Sequence, residues 1–496
     1  MAEDRLGRQA ARAFGWIAVS KGVERVLGVA RITVLARLLA PDDFGAFGVA
    51  LLALGTVERL SRPGLGIALV QRAEDVRPYL DAVWTVLLLR AWGIALLLYL
   101  SREAVASFFG TPEAADLLIG VSIATAIGGL TSVGLTLLQR ELRLGRRAAA
   151  LGASSVADLV VTIPLAFALR DPMALVYGMI ARNGVLVVAS WLAHPYRPRP
   201  TLNWRPLREL REFAVQGAAH SFLFFIVEQG DDAFVGKVLG DAALGVYLVT
   251  YRVANILTQE VARMLAEVTL PVFSRVQDDS AKLAQAIREA LGATLALVLP
   301  LSLFLALTAY PFIEFFLGEA WLEGVPAFRV LLAFGVLRAM SQVMEAALIA
   351  RGEMAYLTRM LIVQLAVAVA VVVPLGLTRG LPGVAVGIAA SQAVAFLISA
   401  QRMSDRTGPG GTGLGLLGAA RGPVAGGLLG LAAAAALLPV LSVRTDSAFL
   451  LLAGSGMAFA PLYLAVAFPL LRRDVPAVME VTVDRWIRRF RRTEDA

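Results

Sequence analysis

The chain has no cysteine, two histidines and only three lysines among 496 residues. Without cysteine there is no disulfide, no thiolate nucleophile and no Cys-ligated metal. His194 and His220 lie far apart in sequence, so a histidine metal site is not expected, nor any other cofactor beyond a coupling proton or sodium ion. There is no P-loop, no HExxH and no Ser/His/Asp array, so nothing here hydrolyses ATP. "GPGGTG" (408–413) matches a G-x-G-x-x-G string, but no strand precedes it. Charge is scarce too, at 17% of residues, where a soluble domain carries about 25%.

Apolar residues take up the difference, at 58% with a mean hydropathy of +0.72. No water-soluble core of this length hides so much apolar surface, so the chain is read as an all-α integral membrane protein. Fourteen spans are predicted, near 14–36, 44–70, 80–100, 114–138, 150–170, 172–194, 213–237, 243–271, 288–309, 326–350, 357–378, 381–401, 414–441 and 447–471. No cleavable leader is expected, because the first apolar run is about 25 residues long and interrupted by charge.

The net charge of +8 is carried by 43 arginines, most of them in short linkers. That is a topology signal rather than a nucleic-acid footprint. With the N-terminus inside, 29 Arg and Lys fall in or beside inner segments, and 6 fall outside. Both termini are therefore placed in the cytoplasm. Two outer linkers, "SREAVASFFGTPEAA" and "YPFIEFFLGEAWLEG", read as short amphipathic pieces on the interface. The tail "RWIRRFRR" reads as a basic amphipathic helix on the inner surface, toward anionic lipid.

Sliding the chain by 200 residues lays "ARLLAPDDFGAFGVA" (36–50) on "GKVLGDAALGVYLVT" (236–250). Helices 1–2 thus correspond to helices 7–8, and the two copies share one membrane orientation. Parallel repeats in transporters are related by an axis along the membrane normal, with the substrate site between the halves. The expected organisation is an N-terminal lobe (1–212), a C-terminal lobe (213–403), two extra helices (404–472) and the basic tail (473–496).

Charged side chains at mid-membrane must face a cavity or a partner. On helix 1, Lys21, Glu24, Arg25 and Arg31 share one face. Helix 2 carries Glu58, Arg59 and Arg62, helix 7 carries Gln216, His220, Glu228 and Asp231, and helix 8 carries Arg252, Asn255, Gln259 and Arg263. These are the same four helices the repeat makes equivalent. The predicted site is a net-basic cavity lined by Lys21, Arg25, Arg31, Arg59, Arg62, Arg252, Asn255, Gln259 and Arg263. Guanidinium suits an anion with several phosphate oxygens. Glu24, His220, Glu228 and Asp231 are the candidate ion-coupling groups. The competing reading is that acids and bases on these helices neutralise one another as structural pairs. Arg90, Arg182, Arg329 and Arg338 lack a comparable stripe, so snorkelling or pairing is expected of them. Gly418, Gly422, Gly426 and Gly430 form a small-residue stripe for close helix packing.

The stretches "LARLLAPDDFGAFGVA" (35–50), "GLGIALVQR" (64–72), "DDAFVGKVLGDAALGVY" (231–247) and "TLPVFSRVQDD" (269–279) resemble Wzx-type polysaccharide flippases of the multidrug/oligosaccharidyl-lipid/polysaccharide (MOP) exporter superfamily. The resemblance implies a V-shaped, two-lobed helical bundle that flips undecaprenyl-pyrophosphate-linked oligosaccharides for exopolysaccharide or lipopolysaccharide synthesis. It implies a cationic cavity, alternating access, and polymerase and chain-length proteins as partners. It assigns cavity roles to Arg25, Arg31, Arg59 or Arg62, and Arg252. Fourteen helices also resemble the lipid II flippase branch. A cation-coupled drug extruder is disfavoured by the basic cavity, and a membrane glycosyltransferase by the want of a large outer loop.

Overall fold

The computed structural model describes residues 27–61, 76–141, 143–201, 218–407, 414–444 and 447–474, which are helical throughout apart from short turns and linkers. The chain divides into two compact units, Met1–Val249 and Thr250–Ala496.

In the first unit, α1 covers 27–38 and is followed by α2 (Pro41–Leu60). Pro41 starts α2 where a missing N–H costs nothing, and the Asp43 carboxylate accepts the Ala40 N–H at 2.8 Å. α3 (Arg77–Phe109) and α4 (Ala114–Gly129) pack as neighbours, as do α6 (Leu144–Leu169) and α7 (Met173–Ala193). Between them, α5 (Gly134–Arg140) continues α4 after a 56° bend. The bend frees backbone carbonyls in an apolar setting, and two indoles supply donors. Trp191 Nε1 donates to Leu130 O at 2.9 Å, and Trp84 Nε1 to Thr131 O at 3.2 Å.

α8 (Ala218–Phe234) packs on α2 and passes through a π-helical turn, Val235–Leu239. Gly240, at φ +94°, then reverses the chain into α9 (Asp241–Val276). Here the two copies of the repeat meet. A Cβ on Gly45 would stand 1.9 Å from Asp241 O, and a Cβ on Gly245 would stand 1.9 Å from Pro41 O. Positions 41 and 241, like 45 and 245, are 200 apart, so the contact is reciprocal. The starts of α2 and α9 touch backbone to backbone, and only glycine permits it.

The second unit holds the rest of α9 with α10 (Ser280–Leu307), α11 (Ala309–Phe316), α12 (Val325–Ala350), α13 (Met354–Arg379), α14 (Leu381–Thr407), α15 (Leu414–Arg444) and α16 (Ala448–Asp474). Its main core joins α9, α10, α12, α13 and α14 through Phe273, Leu291, Met344, Met360 and Phe396. The glycine stripe of α15 packs as expected at two positions: a Cβ on Gly426 would come within 3.0 Å of Tyr463 O, and one on Gly430 within 3.0 Å of Phe459.

Among the described residues, nine helices are long and apolar enough to cross a membrane, or ten if the bent α4–α5 pair is one span. α2, α8 and α9 are not among them, and these are helices the sequence marked with polar stripes. Two linker expectations change. Residues 101–109 continue α3 instead of forming a separate surface piece, because nothing in them breaks the helix before Gly110. The stretch 309–324 does form short helices, but Trp321 is fully buried rather than anchored at an interface. The string 408–413 and most of the basic tail lie outside the described residues.

Candidate functional site

Of the nine predicted cavity residues, Lys21, Arg25 and Arg62 lie outside the described residues, as does Glu24. Gln259 and Arg263 belong to α9 and His220 to α8, but their side chains are not among those described. Arg59 is half-buried in the last turn of α2. Arg252 is exposed on α9 and Asn255, one turn on, is buried. Glu228 is half-buried one turn before Asp231 on α8.

Arg31 has a well-defined place. Its Nη2 lies 3.2 Å from Asp158 Oδ1 on α6, and the two side chains are 20% and 10% exposed. Thr162 Oγ1 donates to the same carboxylate oxygen at 2.9 Å. Gly178 on α7 makes the room, since a Cβ there would stand 1.7 Å from Thr162 Oγ1 and 2.5 Å from Asp158 Oδ1. Three helices thus enclose one ion pair, and Arg31 Nε, shut from solvent, has no hydrogen-bond partner. Sequence reading missed Asp158. Its signal was a lone acid inside an apolar span, with Thr162 one turn on.

Asp231 is buried at 8% exposure, and its Oδ2 accepts from Tyr247 Oη at 2.7 Å. Its other oxygen has no partner. Under the 200-residue repeat, Asp231 takes the place of Arg31 and Tyr247 that of Phe47. The two copies therefore carry opposite charges at one position, each with its own local partner. Two of the unstriped arginines are held by backbone carbonyls at helix ends. Arg90 caps α2, donating to Glu58 O at 2.6 Å and to Ser61 O at 2.9 Å. Arg329 donates to Ala306 O at 3.0 Å, near the end of α10. Cations at a helix C-terminus satisfy its last carbonyls and oppose its dipole. Arg182 on α7 lies close enough to Arg31 for the two like charges to repel.

A second polar assembly ties the linker after α7 to α3. Tyr196 Oη donates to Asp81 Oδ1, which also accepts the Arg199 N–H at 3.0 Å. Thr201 N–H donates to Thr85 Oγ1 at 3.0 Å. His194 Nδ1 accepts the Tyr196 N–H at 3.0 Å, which leaves Nε2 to donate to Glu141 at 3.2 Å. Among the described residues no group of three or more His, Asp or Glu could hold a metal.

Residues 34–326 match a family model described as polysaccharide biosynthesis protein. The chain belongs to that family. Similar proteins include the "Succinoglycan biosynthesis transport protein ExoT" of Rhizobium meliloti, 27% identical over 66% of this chain and 66% of that one. The "Lipopolysaccharide biosynthesis protein WzxC" of Escherichia coli is 22% identical over 68% of this chain and 69% of its own length. An "Uncharacterized membrane protein in cps region" of Klebsiella pneumoniae is 23% identical over 77% and 80%.

The fold is that of the MOP superfamily. A structure of the lipid II flippase MurJ superposes with a TM-score of 0.77 at 14% identity, over 92% of this chain and 99% of that one. An inward-facing MATE transporter of the MOP superfamily gives 0.58 at 16% identity, over 80% and 98%. The difference in coverage is comparable to the combined 31 and 27 residues of α15 and α16. The all-α membrane fold read from the sequence holds; the count of fourteen spans stays an expectation.

Proposed function

We propose that the protein is a flippase that moves a polyprenyl-pyrophosphate-linked oligosaccharide from the inner to the outer leaflet during exopolysaccharide or lipopolysaccharide synthesis. The family match over residues 34–326 carries the reading, and relatives named for succinoglycan and lipopolysaccharide biosynthesis support it. It is a transporter, not an enzyme.

The distribution of polarity agrees. Among the described residues, α2 and α9 are long enough to cross a membrane but are not among the helices apolar enough to do so. Polar faces kept in a membrane serve a cavity or a partner. Arg25, Arg59, Arg62, Arg252 and Arg263, with Lys21, Asn255 and Gln259, are the groups to hold pyrophosphate and acidic sugars. Arg31, tied to Asp158, contributes what positive field that carboxylate leaves. A ligand bound equally by inward- and outward-open states shifts neither, so net transport needs a bias. A proton or sodium ion at Glu24, His220, Glu228 or Asp231 would supply it. Both termini are placed on the cytoplasmic side, and a polymerase and chain-length protein are the partners that would receive the product.

Complementation of a flippase-null strain tests this. Wild type should restore polymer export, and Arg25→Ala and Arg252→Ala should impair it at unchanged protein level. Normal export by both variants would overturn the cationic-site reading. The 0.77 superposition on a lipid II flippase gives a second reading, checked by rescue of a strain depleted of that flippase.

A further inference from the structure

Where α12 ends and α13 begins, three guanidinium groups converge on a single carboxylate. Glu353 has Arg402 Nε at 2.7 Å, Arg406 Nε at 3.5 Å and Arg351 Nε at 3.7 Å. The assembly is fixed from several sides. Arg402 lies over the Tyr356 ring at 4.9 Å, and Arg351 Nη1 donates to Gln277 O at 3.2 Å. Ser280 Oγ reaches Arg406 O at 3.4 Å. The adjacent acid, Asp279, is already spent on Lys282 at 2.9 Å. Arg351 Nε is shut from solvent with no hydrogen-bond acceptor. Three positive charges thus share one negative charge.

A carboxylate that follows a helix in the first unit needs fewer cations. Glu141 follows α5 as Glu353 follows α12. It takes one guanidinium, Arg143 at 3.5 Å, and the imidazole of His194. There the fixed charges balance. In the second unit the cluster exceeds that need by two cations. The side chains of Arg351, Arg402 and Arg406 are 22%, 30% and 46% exposed, as at the mouth of a site rather than in a core. They sit at the ends of membrane-spanning helices, on the side where positive charge accumulates.

We propose that Arg351, Arg402 and Arg406 form a binding site for a phosphate group, and that its occupant is the phosphodiester headgroup of an anionic phospholipid in the adjoining leaflet. Guanidinium forks match phosphate oxygens, and the juxtamembrane depth matches a headgroup. Glu353 spaces the arginines and keeps them from repelling one another when the site is empty. Such a lipid would bridge α12, α13 and α14 at one end of the second unit.

The test is lipid binding to the full-length protein in detergent, read by native mass spectrometry and by thermal midpoint. Phosphatidylglycerol, phosphatidylcholine and inorganic phosphate are added in separate arms. Wild type should retain phosphatidylglycerol and gain thermal stability from it, and phosphatidylcholine should give neither effect. Arg351→Gln with Arg406→Gln leaves the Arg402–Glu353 pair in place and should weaken phosphatidylglycerol retention about tenfold. If that double variant fails to fold, Arg406→Gln alone decides, with a smaller loss in the same direction. Equal effects of the two lipids, or undiminished retention by the variants, overturn the site. Stabilisation by inorganic phosphate that displaces phosphatidylglycerol would keep the phosphate site and overturn the lipid as its occupant. No readout depends on transport, so the result stands apart from the flippase reading.

Discussion

Gly45 and Gly245 face each other's helix across a backbone contact, each leaving a carbonyl oxygen 1.9 Å from where its Cβ would be. Gly45→Ala or Gly245→Ala must push the starts of α2 and α9 apart. Overpacking of this kind costs about 1–3 kcal/mol, and here the obstacle is backbone that cannot swing away. Both variants should lose folded yield and thermal midpoint in detergent. The double variant should cost less than the sum, because one separation relieves both clashes. Gly93→Ala, with nothing within 4 Å of its Cβ, is the control and should be neutral.

The Arg31–Asp158 pair predicts an asymmetry between removing one charge and removing both. Asp158→Ala leaves a mostly buried guanidinium with Arg182 nearby and no carboxylate, a loss of about 3 kcal/mol. Arg31→Met with Asp158→Leu should recover most of it. Gly178→Ala should resemble Asp158→Ala, since its methyl would displace Thr162 from the same carboxylate. Chemical denaturation of the three variants in detergent checks the order. A double variant no better than Asp158→Ala would mean the pair is not the interaction that matters.

How far these features were legible in the sequence depends on their range. Apolar runs located most helices, and the stripes of Glu, Arg, Gln and Asp marked α2 and α9, which have the length but not the apolarity of simple spans. The repeat was visible in "PDDFGAF" against "DAALGVY" because glycine tolerates so few replacements at a backbone crossing. Partners were not visible. Asp158 lies 127 residues from Arg31, and Asp81 lies 115 from Tyr196. No local period connects such positions. The bend at 130–133 was hidden for a related reason: its carbonyls are satisfied by Trp84 and Trp191, each in a different helix from the bend. Glu353 went unnoticed because, in sequence, it is one ordinary acid in a basic linker.

Tyr247→Phe restores at position 247 the residue type that its repeat copy carries at 47. The ring still fits, but the buried Asp231 loses the 2.7 Å hydroxyl donor. A buried acceptor left unsatisfied costs about 1–3 kcal/mol. Asp231→Asn should also destabilise, and adding Asp231→Asn to Tyr247→Phe should cost little more. Additive losses in thermal midpoint would show that the two side chains act separately.

Tyr196 predicts an effect of alkaline pH on the linker after α7. Burial, with the hydrogen bond to Asp81 next, holds its phenol above the ordinary value of 10.0. A raised folded-state value means the fold favours the protonated hydroxyl, which donates to Asp81. That contribution is full below pH 10, declines as pH rises through it, and is gone above the folded-state value. Hydrogen exchange at 196–201 should therefore stay slow through neutral pH and, after correction for intrinsic rates, accelerate above about pH 10. Tyr196→Phe should exchange faster at all pH values and lose that alkaline step. His194→Ala should loosen the same residues without moving the step, because it removes the acceptor of the Tyr196 N–H but leaves the phenol on Asp81. An alkaline step that survives Tyr196→Phe would assign it to another group.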